Sequence, residues 1–275
     1  DAFESATERE VQVAADGSVA VVRVLGKSMA RVVPLDGSPL VEVPLPGDPT
    51  DLDLLPDGKA LMVMRARQTA AILTVETALS AAEPTDSIIE VQLAPARPGL
   101  ASVTSDGRYA VLHTTVEEDE EVTIMDFVNE KVVRIPLKKE VKAVALAPDG
   151  ETALLLHEPR HISDVEDEVE RMIDHSEGYS ILRLSDGFAK LELLDSRPGA
   201  FSYTSDGSQL FLLEPKTPDG RHLLRRVDLK TTVESSLLLA STPTDVRYVP
   251  AAEKAAVFQE HPTGRITFVG AEGGD

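Results

Sequence analysis

The chain has 275 residues, enough for one large domain or two ordinary ones, and 42% of them are apolar. Its 47 acidic residues outnumber the 27 basic ones, and the resulting net charge of −20 would repel nucleic acid and anionic membranes. Cysteine and tryptophan are absent, and no apolar run is long enough for a membrane-spanning helix, so a disulfide scaffold and a bilayer-spanning helix are both excluded.

A strand, a tight turn and a second strand recur along the chain. The turn is an Asp-Gly pair between β-rich runs, which favours a hairpin because glycine accepts a positive φ without steric cost. Five copies are present, at Asp16-Gly17, Asp57-Gly58, Asp106-Gly107, Asp149-Gly150 and Asp206-Gly207. A degenerate sixth copy has Ala251-Ala252 at the same place. The chain therefore consists of copies of an internal repeat of about 45 residues.

Two further strand-like runs follow each hairpin, as "EVTIMDFV" and "KVVRIPL" do in the third copy. Four short strands per unit predict an all-β fold, a β-propeller of four-stranded antiparallel blades forming one domain over residues 1–275. We count six blades, at about 11–49, 50–96, 97–141, 142–197, 198–243 and 244–275. Residues 1–10 would complete the last blade; a seventh blade outside this chain and a β-sandwich are the alternatives.

The segments "APDGETALLL", "LPDGKALMV" and "TSDGRYAVL", each followed by two further strands, resemble the repeats of YVTN/lactonase-like β-propellers of bacteria and archaea. The resemblance covers nearly the whole chain and implies the propeller fold. It implies no single activity, because such repeats build lactonases, electron-transfer subunits and cell-surface proteins. The Gly-His and Trp-Asp pairs of WD40 repeats are absent.

A polar residue follows each turn by six or seven places, where the second strand of the blade should end. We call these the strand-end residues: Arg23, Arg65, His113, His157, Glu214 and Gln259. Arg97 and Arg197 lie in matching "RPG" links between blades. In a propeller these residues would surround the mouth of the central channel, where they are candidates for binding a ligand. The alternative is that strand ends are polar because they meet water.

The fourth blade contains an insertion over residues 158–180, which explains why the spacing between the turns at Asp149 and Asp206 is the longest of the series. Val165, Val169, Met172 and Ile173 recur at helical spacing, which predicts a short acidic amphipathic helix. Ser163 and Glu166 match a capping box at its start, and Gly178 would end it. We expect its apolar side to pack on the propeller; if exposed, it is a docking site for a protein partner.

Metal sites have weak support in the sequence. The acidic run within Val116 to Val122 could hold Ca²⁺ but lacks the alternating pattern of a dedicated calcium loop. The histidines and carboxylates of the insertion resemble a zinc set only in composition, because Pro159 interrupts helical spacing between His157 and His161. We therefore predict no cofactor.

No nucleophile motif and no phosphate loop are visible. The sequence therefore favours a non-catalytic scaffold that presents loops to a protein or small polar ligand. The alternative, by resemblance, is a lactonase-like hydrolase at the channel mouth, with no catalytic residue assigned. The missing initiator methionine, the acidity and the lookalike bacterial proteins favour an extracytoplasmic location, in the periplasm or at the cell surface.

Overall fold

A computed structural model describes residues 9–115, 119–160 and 167–271. In these residues the chain forms six antiparallel sheets, each built from strands that are consecutive in sequence. The chain divides into two units, residues 1–136 and 137–275, and each unit holds three sheets. No helix in the described residues is long and apolar enough to cross a bilayer.

The first unit contains twelve strands in three sheets of four. Sheet 1 has β1 (Arg9–Val13), β2 (Val19–Val24), β3 (Met29–Pro34) and β4 (Val41–Pro44). Sheet 2 has β5 (Asp51–Leu54), β6 (Lys59–Met64), β7 (Thr69–Thr74) and β8 (Ile88–Gln92). Sheet 3 has β9 (Leu100–Val103), β10 (Tyr109–His113), β11 (Glu121–Asp126) and β12 (Lys131–Pro136). A short helix, α1 (Val75–Ser80), joins β7 to β8.

The second unit contains two four-stranded sheets and one of three described strands. Sheet 4 has β13 (Ala143–Leu146), β14 (Thr152–His157), β15 (Glu177–Arg183) and β16 (Ala189–Leu194). Sheet 5 has β17 (Phe201–Tyr203), β18 (Gln209–Glu214), β19 (His222–Asp228) and β20 (Glu234–Leu239). Sheet 6 has β21 (Pro243–Val249), β22 (Lys254–Gln259) and β23 (Arg265–Gly270). The helix α2 (Glu168–His175) lies between β14 and β15.

The Asp-Gly turns form as the sequence predicts. Their five glycines have φ between 69° and 80°, in the left-handed region that glycine accepts without strain. In all five turns the aspartate side chain accepts a hydrogen bond from the amide two residues on, as Asp206 does from Ser208. In the degenerate sixth copy a 3-10 turn ends at Ala252, and Glu253 takes the left-handed conformation instead.

Within each unit, the faces of neighbouring sheets pack against each other. In the first unit β1 lies beside β5, and β5 beside β9; in the second unit β17 lies beside β21. Aliphatic side chains fill the space between sheets 1 and 2, such as Val21, Val32 and Met62. Phe211, Leu213 and Val257 do the same between sheets 5 and 6. Alternate residues of β6 face sheets 1 and 3, and alternate residues of β18 face sheets 4 and 6, so both faces of sheets 2 and 5 are buried.

Two helical details differ from the sequence prediction. The sequence pattern did not reveal α1, whose Val75 and Ala78 are buried against sheets 1 and 2. The insertion helix α2 is present in the predicted blade but begins at Glu168, where the Asp167 carboxylate accepts from the amides of Val169 and Glu170. It ends at His175, and Gly178 lies in β15. Ser163 and Glu166 lie outside the described residues. Of residues 1–10, which are predicted to complete the last blade, 1–8 also lie outside them, whereas Arg9 and Glu10 belong to β1 and pair with β2 of sheet 1.

Candidate functional site

The strand-end residues lie within or directly after the second strand of each sheet. His113, His157, Glu214 and Gln259 are the last residues of β10, β14, β18 and β22. All four are buried. Arg23 and Arg65 are half-buried. Most of these groups are therefore covered by protein, and what each one contacts decides its role.

Glu214 belongs to an ion network of the second unit. None of its surface is exposed, and its Oε2 accepts from Arg225 Nη2 at 2.7 Å and Nε at 2.9 Å. Arg225 also pairs with Glu234, whose second oxygen accepts from the Tyr179 hydroxyl at 2.5 Å. Burial, and then the contact with Glu234, raises the pKa of Tyr179 well above its usual range. The network joins sheets 4 and 5.

His157 makes a closed set of hydrogen bonds beneath the insertion. Its Nδ1 lies 2.7 Å from the Glu140 carbonyl oxygen, so Nδ1 must donate, and Nε2 accepts from the Ser180 hydroxyl at 2.8 Å. His157 is 1% exposed and Ser180 is 2% exposed. Burial lowers the pKa of His157 to about 4, so the ring is neutral at physiological pH. The pair is a hydrogen-bonded Ser-His arrangement without access to solvent.

The remaining strand-end residues also have defined surroundings. Gln259 donates from Nε2 to Thr267 Oγ1 at 2.6 Å, and its Oε1 accepts from the Ser241 amide at 3.3 Å. His113 is buried, its Nδ1 has no hydrogen-bond partner among the described residues, and burial lowers its pKa to about 4. Arg23 pairs with Glu10 at 2.5 Å. The side chain of Arg65 lies against Gly99 in the link to sheet 3.

Arg97 and Arg197 are the two exposed members of the predicted set. Arg197 pairs with Glu158 at 3.0 Å on the surface. Among the described residues, neither arginine makes a hydrogen bond or an ion pair with the buried strand-end residues.

β5 carries an acidic pair that the sequence prediction did not include. Asp51 and Asp53 are two residues apart and share one side of the strand, and Asp51 Oδ2 accepts from the Ala101 amide at 2.6 Å. Asp53 Oδ2 is buried and has no partner among the described residues. Burial, and then the charges of Asp51 and Glu10, raises the pKa of Asp53 to about 7. The alternation of aspartate and leucine in "DLDL" is the sequence signal that both carboxylates lie on the same side of a strand.

Replacing Asp53 by Asn should stabilise the protein at pH 8 by about 2 kcal/mol and leave it unchanged near pH 4. The folded-state pKa lies above the unfolded value, so ionisation opposes folding, and this cost grows as the pH rises from about 4 to about 7. Thermal melting of both proteins across this range measures the effect. Asp86→Asn removes an exposed carboxylate of the same unit as a control, and a difference at pH 4 equal to that at pH 8 would contradict the prediction.

The insertion helix is held by polar contacts, and its apolar side is largely uncovered. Val169 is 59% exposed and Met172 is 54% exposed, while Ile173 is half-buried. Buried Lys139 donates from Nζ to the carbonyl oxygens of Ile173 and Asp174, at 2.5 and 3.2 Å. The expectation that this apolar side packs on the propeller is therefore wrong for Val169 and Met172. Val165 lies outside the described residues.

A polar cleft of about 820 Å³ lies in the second unit between sheets 5 and 6. It opens beside the Asp206-Gly207 turn, at the opposite end of β18 from Glu214, and none of the strand-end residues lines it. The volume is within the range of small-molecule sites. In the described residues no group of three His, Asp or Glu side chains is placed to hold a metal ion.

Comparison with known proteins gives the fold. No protein-family model and no curated protein matches the chain. Among solved structures, hydrazine synthase of Kuenenia stuttgartiensis matches with a TM-score of 0.53 and 12% identity, over 90% of this chain and 75% of that one. Tricorn protease matches with a TM-score of 0.53 and 11% identity, over 97% of this chain and 34% of that one. Both are β-propeller proteins.

The chain folds as a β-propeller. This confirms the predicted fold class of antiparallel blades with a helical insertion in the fourth. The propeller spans about a third of the tricorn protease chain and three quarters of the hydrazine synthase chain. At these identities the likeness concerns the fold, and function must be argued from the residues of this chain.

Proposed function

We propose that this propeller is a non-catalytic scaffold of the YVTN/lactonase-like kind, which binds a protein or a small polar ligand at the bacterial cell envelope. The observation that carries the proposal is the state of three strand-end residues. His157, Glu214 and Gln259 are buried and hydrogen-bonded to protein groups. Groups engaged in this way hold sheets together and are not available to a substrate.

Two surface features support a binding role. The first is α2, which presents Val169 and Met172 to solvent on a helix anchored through Lys139. Exposed apolar side chains on a fixed helix are typical of protein docking surfaces. The second is the cleft between sheets 5 and 6, which is large enough for a small polar molecule.

A hydrolase is the second candidate, and one observation favours it. Ser180 donates its hydroxyl proton to His157 Nε2, and the Glu140 carbonyl orients the ring through Nδ1. This is the order of nucleophile, base and orienting group found in acyl-transfer enzymes. Both side chains are at least 98% buried, however, so a substrate would reach them only after the structure opened.

A lactone-hydrolysis screen separates the two candidates. Wild type, Ser180→Ala and His157→Ala are assayed on a panel of small lactones, with Ser80→Ala as an exposed serine control. We expect no hydrolysis above buffer for any of the four proteins. Hydrolysis by wild type and Ser80→Ala that disappears in Ser180→Ala, with circular dichroism showing an intact fold, would establish the hydrolase instead.

The location is tested separately. Fractionation of the source cells, followed by immunoblotting with an antibody to this chain, should place the protein in the periplasmic or surface fraction. Recovery with a cytoplasmic marker enzyme would rule out the envelope assignment.

A further inference from the structure

The cleft between sheets 5 and 6 has more acidic than basic side chains in its lining. Asp206, Asp228 and Glu253 line it, against Arg226 and Lys254, which leaves a formal charge of −1. Glu234 also lines it, but its carboxylate is paired with Arg225 and accepts from Tyr179 of sheet 4, so it adds no free charge. Arg226 is directed to protein, because its Nη1 donates to the Gly270 carbonyl oxygen at 3.3 Å.

Two of the carboxylates are held ionised by local hydrogen bonds. The Thr204 hydroxyl first, and then the Ser208 amide and hydroxyl, lower the pKa of Asp206. The Thr231 amide, at 2.7 Å, and its hydroxyl lower the pKa of Asp228. Gln209 Nε2 also donates to Asp228, at 3.1 Å. Because hydrogen-bonded carboxylates of this kind stay charged, the cleft keeps its negative field at physiological pH.

An aromatic ring adds to the same site. Tyr248 lines the cleft, and its ring is fixed by stacking on buried Phe211, with centroids 6.4 Å apart and an interplanar angle of 14°. Aromatic rings next to carboxylates attract organic cations through both charge and the ring quadrupole. The absence of a metal-binding group of three among the described residues points away from a bare metal ion.

We infer that this cleft binds the cationic group of an amine-bearing ligand, an ammonium or a guanidinium. The inference rests on the proposed binding function and gives it a ligand class. The cation lies between the carboxylates and Tyr248, and the remaining polar lining receives the rest of the molecule. The net charge of −20 on the whole chain draws such ligands toward the protein.

Calorimetric titration with spermidine and with a hexa-arginine peptide tests this, and hexaglutamate serves as the anionic control. The variant Asp206→Asn/Glu253→Gln removes two exposed charges from the lining while keeping the side-chain shapes. The matched control Asp57→Asn/Glu76→Gln removes the same charges from the equivalent turn and a helix of the first unit. We expect the lining variant to weaken cation binding about tenfold and the control to stay within about twofold of wild type.

The outcomes are distinct. Loss of cation affinity in the lining variant but not in the control supports the site. The cation that binds more tightly, spermidine or hexa-arginine, shows whether the ligand is a free polyamine or an arginine-bearing peptide. No binding of either cation, equal loss in both variants, or equal binding of hexaglutamate would overturn the inference. None of these results bears on lactone hydrolysis, so failure of the cleft and failure of the non-catalytic proposal are separable.

Discussion

Replacing Arg225 by Met should lower the free energy of unfolding by about 3–5 kcal/mol. Arg225 is the shared partner of Glu214 and Glu234, and Glu214 has no exposed surface. Without the guanidinium, the Glu214 carboxylate would stay in the interior with only the Ser196 hydroxyl at 3.3 Å. A buried charge left unpaired costs far more than a surface pair contributes. Urea denaturation followed by circular dichroism measures the loss.

Arg247→Met is the matched control. Arg247 pairs with Asp245 at 2.8 Å, but its side chain is 74% exposed, so we expect a loss of at most about 1 kcal/mol. Adding Glu214→Gln to Arg225→Met removes the orphaned charge and should recover part of the stability. If Arg225→Met and Arg247→Met were equally stable, the network between sheets 4 and 5 would have no structural importance.

Replacing Phe211 by Ala should cost about 3–5 kcal/mol and also weaken the cleft. Phe211 is fully buried between sheets 5 and 6, where it packs with Leu213, Val246 and Val257. Removing its ring leaves a cavity and takes away the surface on which Tyr248 stacks. We therefore expect both a lower urea midpoint and a weaker spermidine titration in the same protein.

Leu238→Ala provides the comparison for this variant. Leu238 lies on β20 of the same sheet and is 63% exposed, so its truncation should change stability by less than about 1 kcal/mol. A Phe211→Ala protein as stable as Leu238→Ala would show that sheets 5 and 6 are not held by this core. Unchanged spermidine affinity in a destabilised Phe211→Ala protein would show that cation binding does not depend on the stacking of Tyr248 on Phe211.

The repeat made the fold predictable. Each Asp-Gly turn fixes a hairpin by local backbone chemistry, and the observed φ values of Gly107 and Gly207 agree with this. The spacing then gives the number of sheets. The helix α1 escaped prediction because "VETALS" is only six residues long, and two buried residues, Val75 and Ala78, are too few to show helical spacing.

The candidate site was less accessible to sequence reasoning, for a physical reason. Counting from the turn glycine locates the end of a strand, but the exposure of that end depends on the neighbouring sheet. Glu214 is covered because Arg225 and Ser196 meet it there. The cleft is formed by residues from two different repeats, such as Asp206 and Glu253, whose proximity no single repeat encodes.

The consecutive order of strands within every sheet bears on how this protein is made. Because, in the described residues, each sheet is built only from strands that are adjacent in sequence, its strand pairings close short loops. Sheets can therefore form one after another as the chain leaves the ribosome. Translational pausing in the links between sheets should then improve the yield of native protein more than pausing within a hairpin.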